Sequence, residues 1–261
     1  MRYALGLEYN GCAFCGFQSQ PSGCGVQDAI EAALSSIAGH RVAVVAAGRT
    51  DAGVHATSQI VHFDTDAQRP ATAWVRGVNA SLLDDAAVLW TVPAQNDFHA
   101  RYSATARHYV YLLHARAERL GLLVGRVGWY HRPLDVDAMQ SAAALLLGEH
   151  DFSSFRAAEC QARSPVKTLA RASVAASGPL IRLDFSADGF LHHMIRNIVG
   201  ALVHVGAGKA PSSYLRELLD ARDRTLAPPT FMGEGLYFVG ADYDARFELP
   251  ATRRDIALPI S

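Results

Sequence analysis

The order in which the hydrophobic period changes along the chain constrains the fold most, because strand alternation and helical spacing demand different packing partners. "RYALGLEY" alternates as a strand, and "VQDAIEAALSSIAG" carries helical spacing through Val26, Ile30, Ala33, Leu34 and Ile37 before stopping at Gly39. "VAVVAA" and "QIVHFDT" read as short strands, "ATAWVRGVNASL" as a helix and "AAVLWTVP" as a closing strand. The succession then repeats. "ARHYVYLLHA" is strand-like, and "DVDAMQSAAALLLG" is a helix with Asp135 placed to cap it. "TLARASVAAS" and "LIRLDFSA" are strands around the turn "SGP", "FLHHMIRNIVGALVHVG" is a helix and "GLYFVGADY" a last strand. An added helix, "SSYLRELLDAR", precedes that strand. Two βαββαβ units predict an α+β chain of two ferredoxin-like halves, residues 1–103 and 104–261, sharing a mostly antiparallel sheet. A cleft is expected where the halves join, and such joints commonly house sites.

Composition narrows the class. Half of the 261 residues are hydrophobic and 19% are charged, enough for a proper core and against disorder. "MRYALGLEYN" alternates, unlike a signal peptide, and no apolar run reaches bilayer length, so a cytoplasmic protein without membrane attachment is expected. Cys12 and Cys15 have C-x-x-C spacing, but only Cys24 lies near enough to join them. A zinc site needs a second ligand pair, so the reading is free thiols, with no metal and no disulfide. The net charge of −1 gives no global signature for nucleic acid. Between His99 and Pro133, however, six arginines, Arg101 and Arg107 among them, face one acid, Glu118, with five aromatic tyrosines and tryptophans interspersed. That pattern suits either a phosphate backbone with stacked bases or a solvated charged face.

The sharpest chemistry sits in "AAGRTDAGVHATSQIVHF", where Asp51 lies in a glycine-bounded loop between the second and third strands. Such a connection is reachable by solvent while the strands hold it in place. Gly48 and Gly53 are expected to take backbone angles other residues resist. A carboxylate is ionised at neutral pH and needs no separate base to activate it, and a cation nearby would keep it so in a closed site. The loop lacks G-K-[ST], no strand is followed by G-x-G-x-x-G, and H-E-x-x-H is missing. On the helix "FLHHMIRNIVG", three- and four-residue spacing sets His192, His193, Arg196 and Gly200 in a polar stripe among Met194, Ile195, Ile198 and Leu202.

"AGRTDAGVHA" resembles the signature loop of the tRNA pseudouridine synthase I family, the TruA type. "YNGCAFCGFQSQ", "VQDAIEAAL", "DFHARYSATARHYVY", "LLGEHDFSSFR", "FLHHMIRNIVGALVHVG" and "EGLYFVGADY" also resemble that family, in its order and over almost the whole chain. The resemblance implies a cofactor-free, metal-free homodimer that isomerises uridine to pseudouridine at positions 38, 39 and 40 of the tRNA anticodon stem-loop. Asp51 matches the essential aspartate, which either attacks C1′ or removes a ribose proton. Arg196 matches the cation expected to pair with it, and Tyr109 the tyrosine that packs on the target base. Arg49 matches an arginine that helps turn the nucleotide out. Arg101 and Arg107 are candidate RNA-backbone contacts, with His55 as a further one. The family often has a tryptophan where Phe17 stands, and Cys12, Cys15 and Cys24 lie outside its usual pattern. Two rivals remain at this stage: a non-catalytic RNA-binding protein on the same fold, and a metal-dependent phosphoesterase built on Asp51 and the histidines.

Overall fold

The structure is a computed structural model describing residues 1–256. In chain order its elements are β1 (Arg2–Tyr9), α1 (Val26–Ala38), β2 (Val44–Ala46), β3 (His55–Asp64), α2 (Val78–Ser81), β4 (Ala86–Pro93), β5 (Ala104–Ala115) and β6 (Gly128–Tyr130). There follow α3 (Val136–Ala144), β7 (Gly148–Asp151), β8 (Val166–Ser177), β9 (Leu180–Ala187), α4 (Met194–Gly206), α5 (Tyr214–Ala221) and β10 (Leu236–Tyr243). Two compact units emerge among the described residues, 1–107 with 237–256, and 108–236. The chain is thus α+β with mostly antiparallel strand pairing, as the repeated hydrophobic order implies. The grouping differs from a division at residue 103. The chain returns to the first unit at its end because β10 pairs in parallel with β3, setting Tyr237 opposite His55 and Phe238 opposite Ala56.

In the first unit β1 lies between β4 and β3, antiparallel to both, and β2 adds to β3. The strand order β4-β1-β3-β2 is that of a ferredoxin-like βαββαβ fold. Helix α1 forms where the spacing predicts it, with the Asp28 carboxylate accepting from the Gly25 N–H (2.9 Å) at its first turn. Its apolar face buries Val26, Ile30 and Leu34. Trp74, Tyr3 and Phe63 fill the space beside it, with Tyr3 stacked on Phe63 at 5.4 Å. Fully burying side chains of this size contributes roughly 1.5–3 kcal/mol each. That core fixes the ends of β2 and β3, between which the Asp51 loop is strung.

In the second unit the order is β5-β9-β8-β7, with β6 parallel to β5. Strands β8 and β9 form the expected hairpin around Gly178 and Pro179. Asp135 caps α3 by accepting from the Ala138 N–H at 2.9 Å. Helix α4 is buried along most of its length, and α3 packs against it. It is shorter than its sequence suggests. His193 takes a left-handed backbone (φ 61°), so the helix starts at Met194 and the first helical bond runs from the Asn197 N–H to the His193 carbonyl (2.9 Å). His192 and His193 therefore precede the helix, which breaks the expected polar stripe. Gly200, also placed in that stripe, is buried against the backbone: a Cβ there would lie 2.7 Å from the Pro229 carbonyl oxygen.

Candidate active site

The loop carrying Asp51 is fastened on both sides of the carboxylate. Gln59, buried inside β3, donates to the Gly48 carbonyl at 2.8 Å. Thr50 is 6% exposed; its hydroxyl shares a 2.8 Å hydrogen bond with the Tyr9 phenol, and its carbonyl accepts from the Phe17 N–H at 2.9 Å. The Gly53 N–H donates to the Gly11 carbonyl (3.2 Å), and the Val54 N–H closes the turn on the Asp51 carbonyl (3.1 Å). Gly53 has the expected left-handed angle (φ 79°); Gly48 does not take a positive φ, and its place in the loop is set by Gln59. The surrounding chain comes close because it lacks side chains. A Cβ on Gly11 would lie 2.0 Å from the Val54 carbonyl oxygen, and one on Gly16 would lie 3.0 Å from that of Thr50. Between these anchors Asp51 is half-buried while Arg49 and Ala52 are exposed. Burial pushes the Tyr9 phenol up to about 12, against the opposing hydrogen bonds from Thr50 and Gln59, so it remains a neutral hydroxyl at physiological pH. A rigid loop that presents one carboxylate is prepared for reaction without reordering.

Arg49 has no carboxylate partner among the described residues and stays available to an anionic ligand. Arg107 is differently placed. Its guanidinium holds backbone carbonyls, donating to Ala47 through Nε and Nη2 (3.4 Å each), to Ala104 through Nη1 (3.1 Å) and to Arg101. Through these bonds Arg107 braces the chain leading into the Asp51 loop. His55 is placed more deeply than its sequence position suggests. It belongs to β3 rather than the loop, is 1% exposed, accepts from the Gly11 N–H at 3.1 Å and stacks on Tyr237 at 4.6 Å. An imidazole so enclosed does not reach a nucleic acid.

The cysteines also depart from the sequence reading. Cys15 and Cys24 form a disulfide across Cα atoms 5.4 Å apart. The partner is not the C-x-x-C neighbour, because a turn bonded from the Gly23 N–H to the Gln20 carbonyl brings Cys24 back alongside Cys15. The Cys15 N–H donates to the Cys24 carbonyl at 2.9 Å. This clip holds the Gly16–Phe17 segment that lies on Thr50.

In the second unit, Tyr109 on β5 is 8% exposed, with its ring edge-on to Phe190 at 5.1 Å. Arg196 lies in the first turn of α4 and is half-buried. Its Nε donates to the Phe231 carbonyl (2.9 Å), and the Phe231 N–H returns a bond to the Arg196 carbonyl (3.2 Å). The next residue, buried Asn197, donates to the Phe155 carbonyl (2.8 Å) and accepts from Thr230 (2.7 Å) and Arg224 (3.1 Å). The segment 229–231 is thereby fixed on α4 and sets the direction of Arg196. Nearby Tyr111 donates to the Met232 carbonyl at 3.0 Å. Burial and the Glu234 charge push its phenol up, with Arg196 opposing. Sequence reasoning missed Tyr9, Gln59, Asn197 and Thr230. For Gln59 the signal was a polar residue within an otherwise apolar strand.

A braced, partly exposed carboxylate on an α+β fold has the form of an enzyme site. Comparison with known proteins makes it particular. The family model described as tRNA pseudouridine synthase matches residues 7–103 and 142–244. The tRNA pseudouridine synthase A of Methylobacillus flagellatus is 55% identical over 261 residues, covering 100% of both chains. Those of Thiobacillus denitrificans and Chromobacterium violaceum are each 59% identical, over 250 and 252 residues, covering 96% of each chain. The chain belongs to the tRNA pseudouridine synthase family, isomerases that convert uridine to pseudouridine.

Proposed function

We propose that this isomerase acts at positions 38, 39 and 40 of the tRNA anticodon stem-loop, with Asp51 as its catalytic carboxylate and neither metal nor cofactor. Tyr109, Arg196 and Arg49 are its proposed substrate-binding residues, and Arg101 a contact to the RNA backbone. It works as a homodimer in the cytoplasm. In the reaction the N1–C1′ bond breaks, the uracil turns, and a C5–C1′ bond forms as the C5 hydrogen leaves as a proton and N1 regains one. The carboxylate either attacks C1′ or removes a ribose proton; both roles need an ionised oxygen at a fixed position.

The observation that carries this reading is the Asp51 loop itself. Its backbone is tied by Gln59, Tyr9, Phe17 and Gly11, while the aspartate keeps part of its surface toward solvent. A protein that only binds RNA has no use for a fixed carboxylate facing phosphates, whose charge it repels. Arg49, two residues away and without a carboxylate partner among the described residues, suits a phosphate of the extruded nucleotide. The test is chemical mapping of pseudouridine in unmodified tRNA transcripts whose uridines 38, 39 and 40 are replaced one at a time by cytidine. Product at those positions with wild type, and none with Asp51→Asn, is expected. Product elsewhere in the tRNA, or an active Asp51→Asn, sinks the assignment.

A further inference from the structure

A second loop of the first unit is prepared as firmly as the Asp51 loop, yet the reaction does not account for it. Residues 99–103 form a turn ahead of β5 with Tyr102 at its tip, 76% exposed. Single exposed aromatics are ordinary on protein surfaces. This one differs in how completely its backbone is fixed. The His99 Nδ1 accepts from the N–H groups of both Arg101 and Tyr102, each at 3.2 Å. The His99 N–H donates to the Ser103 hydroxyl (3.0 Å), and the Ser103 N–H returns to the His99 carbonyl (2.8 Å). Ala100 is held at both ends, its N–H by the buried His62 Nδ1 (3.1 Å) and its carbonyl by the Tyr243 hydroxyl (2.7 Å). Arg107 holds the Arg101 carbonyl.

The side chains are ordered as well. The Tyr102 ring stacks on the His99 imidazole, with centroids 4.3 Å apart and planes 29° from parallel. The Arg101 guanidinium lies 5.6 Å from the Tyr102 ring centroid. Arg101 is exposed and has no carboxylate partner among the described residues. A ring fixed in place and largely open, with a cation over it that lacks a carboxylate partner among the described residues, has the parts of a nucleobase platform: a ring for the base and a charge for its phosphate. The cost of ordering these side chains is already met before any ligand arrives.

We propose that Tyr102 is a stacking platform for an unpaired nucleobase of the tRNA, separate from the uridine that is isomerised, with Arg101 on the adjoining phosphate. The inference rests on tRNA being the substrate. Its test is equilibrium binding of an unmodified tRNA transcript by the full chain at several salt concentrations. Tyr102→Ala should raise Kd roughly 5- to 100-fold, the range expected for losing one base–aromatic stack. Tyr102→Phe and Tyr102→Trp should restore binding, because stacking needs the ring and not the hydroxyl. The salt dependence of Tyr102→Ala should match wild type, since stacking releases no counterion, whereas Arg101→Gln should lower the slope by about 1. Melting temperatures should be unchanged for the Tyr102 variants, which separates lost stacking from lost folding.

A Tyr102→Ala protein that binds within twofold of wild type overturns the inference, as does a Phe variant that fails to restore binding. If wild type prefers the tRNA no more than a double-stranded DNA of equal charge, the tRNA reading falls and takes this inference with it. If wild type binds tRNA selectively and Tyr102→Ala matches it, only the platform fails.

Discussion

The loops 48–53 and 99–103 lie in the same unit and solve the same problem by different chemistry. Each presents a side chain to solvent from a backbone tied down by buried groups. The Asp51 loop is held by a phenol, a hydroxyl and an amide, Tyr9, Thr50 and Gln59, none of which changes charge near neutral pH. The Tyr102 loop is held by imidazole lone pairs, those of His62 and His99. A protonated imidazole has no lone pair to offer, so the second loop's anchorage depends on pH and the first loop's does not. The carboxylate proposed to react sits on the fastening that acid does not loosen.

The largest way to break that comparison is through His62. Burial, with the charges of Arg2 and His99, pulls its imidazole down to about 4, and Asp64 opposes the shift. The folded value lies below the unfolded one of about 6.5, so between them the unfolded chain binds more protons. Stability is therefore complete above about pH 6.5 and is lost as pH falls toward 4, by at most about 3 kcal/mol. Urea unfolding across that range should display the loss in wild type. His62→Gln keeps an acceptor that does not titrate and should flatten it; an equal acid loss in both proteins would assign the effect elsewhere.

Removing one hydroxyl from the first loop has the next largest effect. Tyr9→Phe leaves the buried Thr50 hydroxyl short of a partner, at a cost of about 1–2 kcal/mol. A displaced Asp51 should slow single-turnover isomerisation about 10- to 100-fold, while Thr50→Ser, which keeps the hydroxyl, should retain most of the rate. If Tyr9→Phe alters tRNA affinity and not turnover, the loop is not positioned by this bond.

The smallest effect separates two arginines that look alike in sequence. Arg49→Gln should reduce the salt dependence of tRNA binding by about one phosphate contact. Arg107→Gln should leave that slope intact and lower the melting temperature, because its guanidinium holds carbonyls. A shallower slope for Arg107→Gln would return it to the RNA surface.

These cases also mark how far the chain was legible. Helix α1, the β8–β9 hairpin, the Asp135 cap and the position of the Asp51 loop followed from periodicity and turn chemistry, which act over a few residues. His55 did not, because β3 is buried along nearly its whole length and offers no exposed face by which alternation would place a histidine. The start of α4 was misjudged because apolar spacing continues through Leu191 while the backbone at His193 turns left-handed. The Cys15–Cys24 pair depends on a turn that spacing does not encode. The return of β10 to the first unit is a pairing with β3, roughly 180 residues distant in sequence, and local patterns carry no register over that range. Within the candidate site the residues proposed to react were readable as residue types; the groups that hold them, Tyr9, Gln59 and Asn197, were not.

The central claim is that Asp51 carries out the isomerisation, and release of tritium from tRNA transcripts containing C5-tritiated uridine tests it most directly. Forming the C5–C1′ bond must expel the C5 hydrogen. Wild type should release tritium, and Asp51→Asn, with its amide held on the same fastened loop, should be slower by about 10³-fold or more. Release by Asp51→Asn at a rate near wild type would contradict the account.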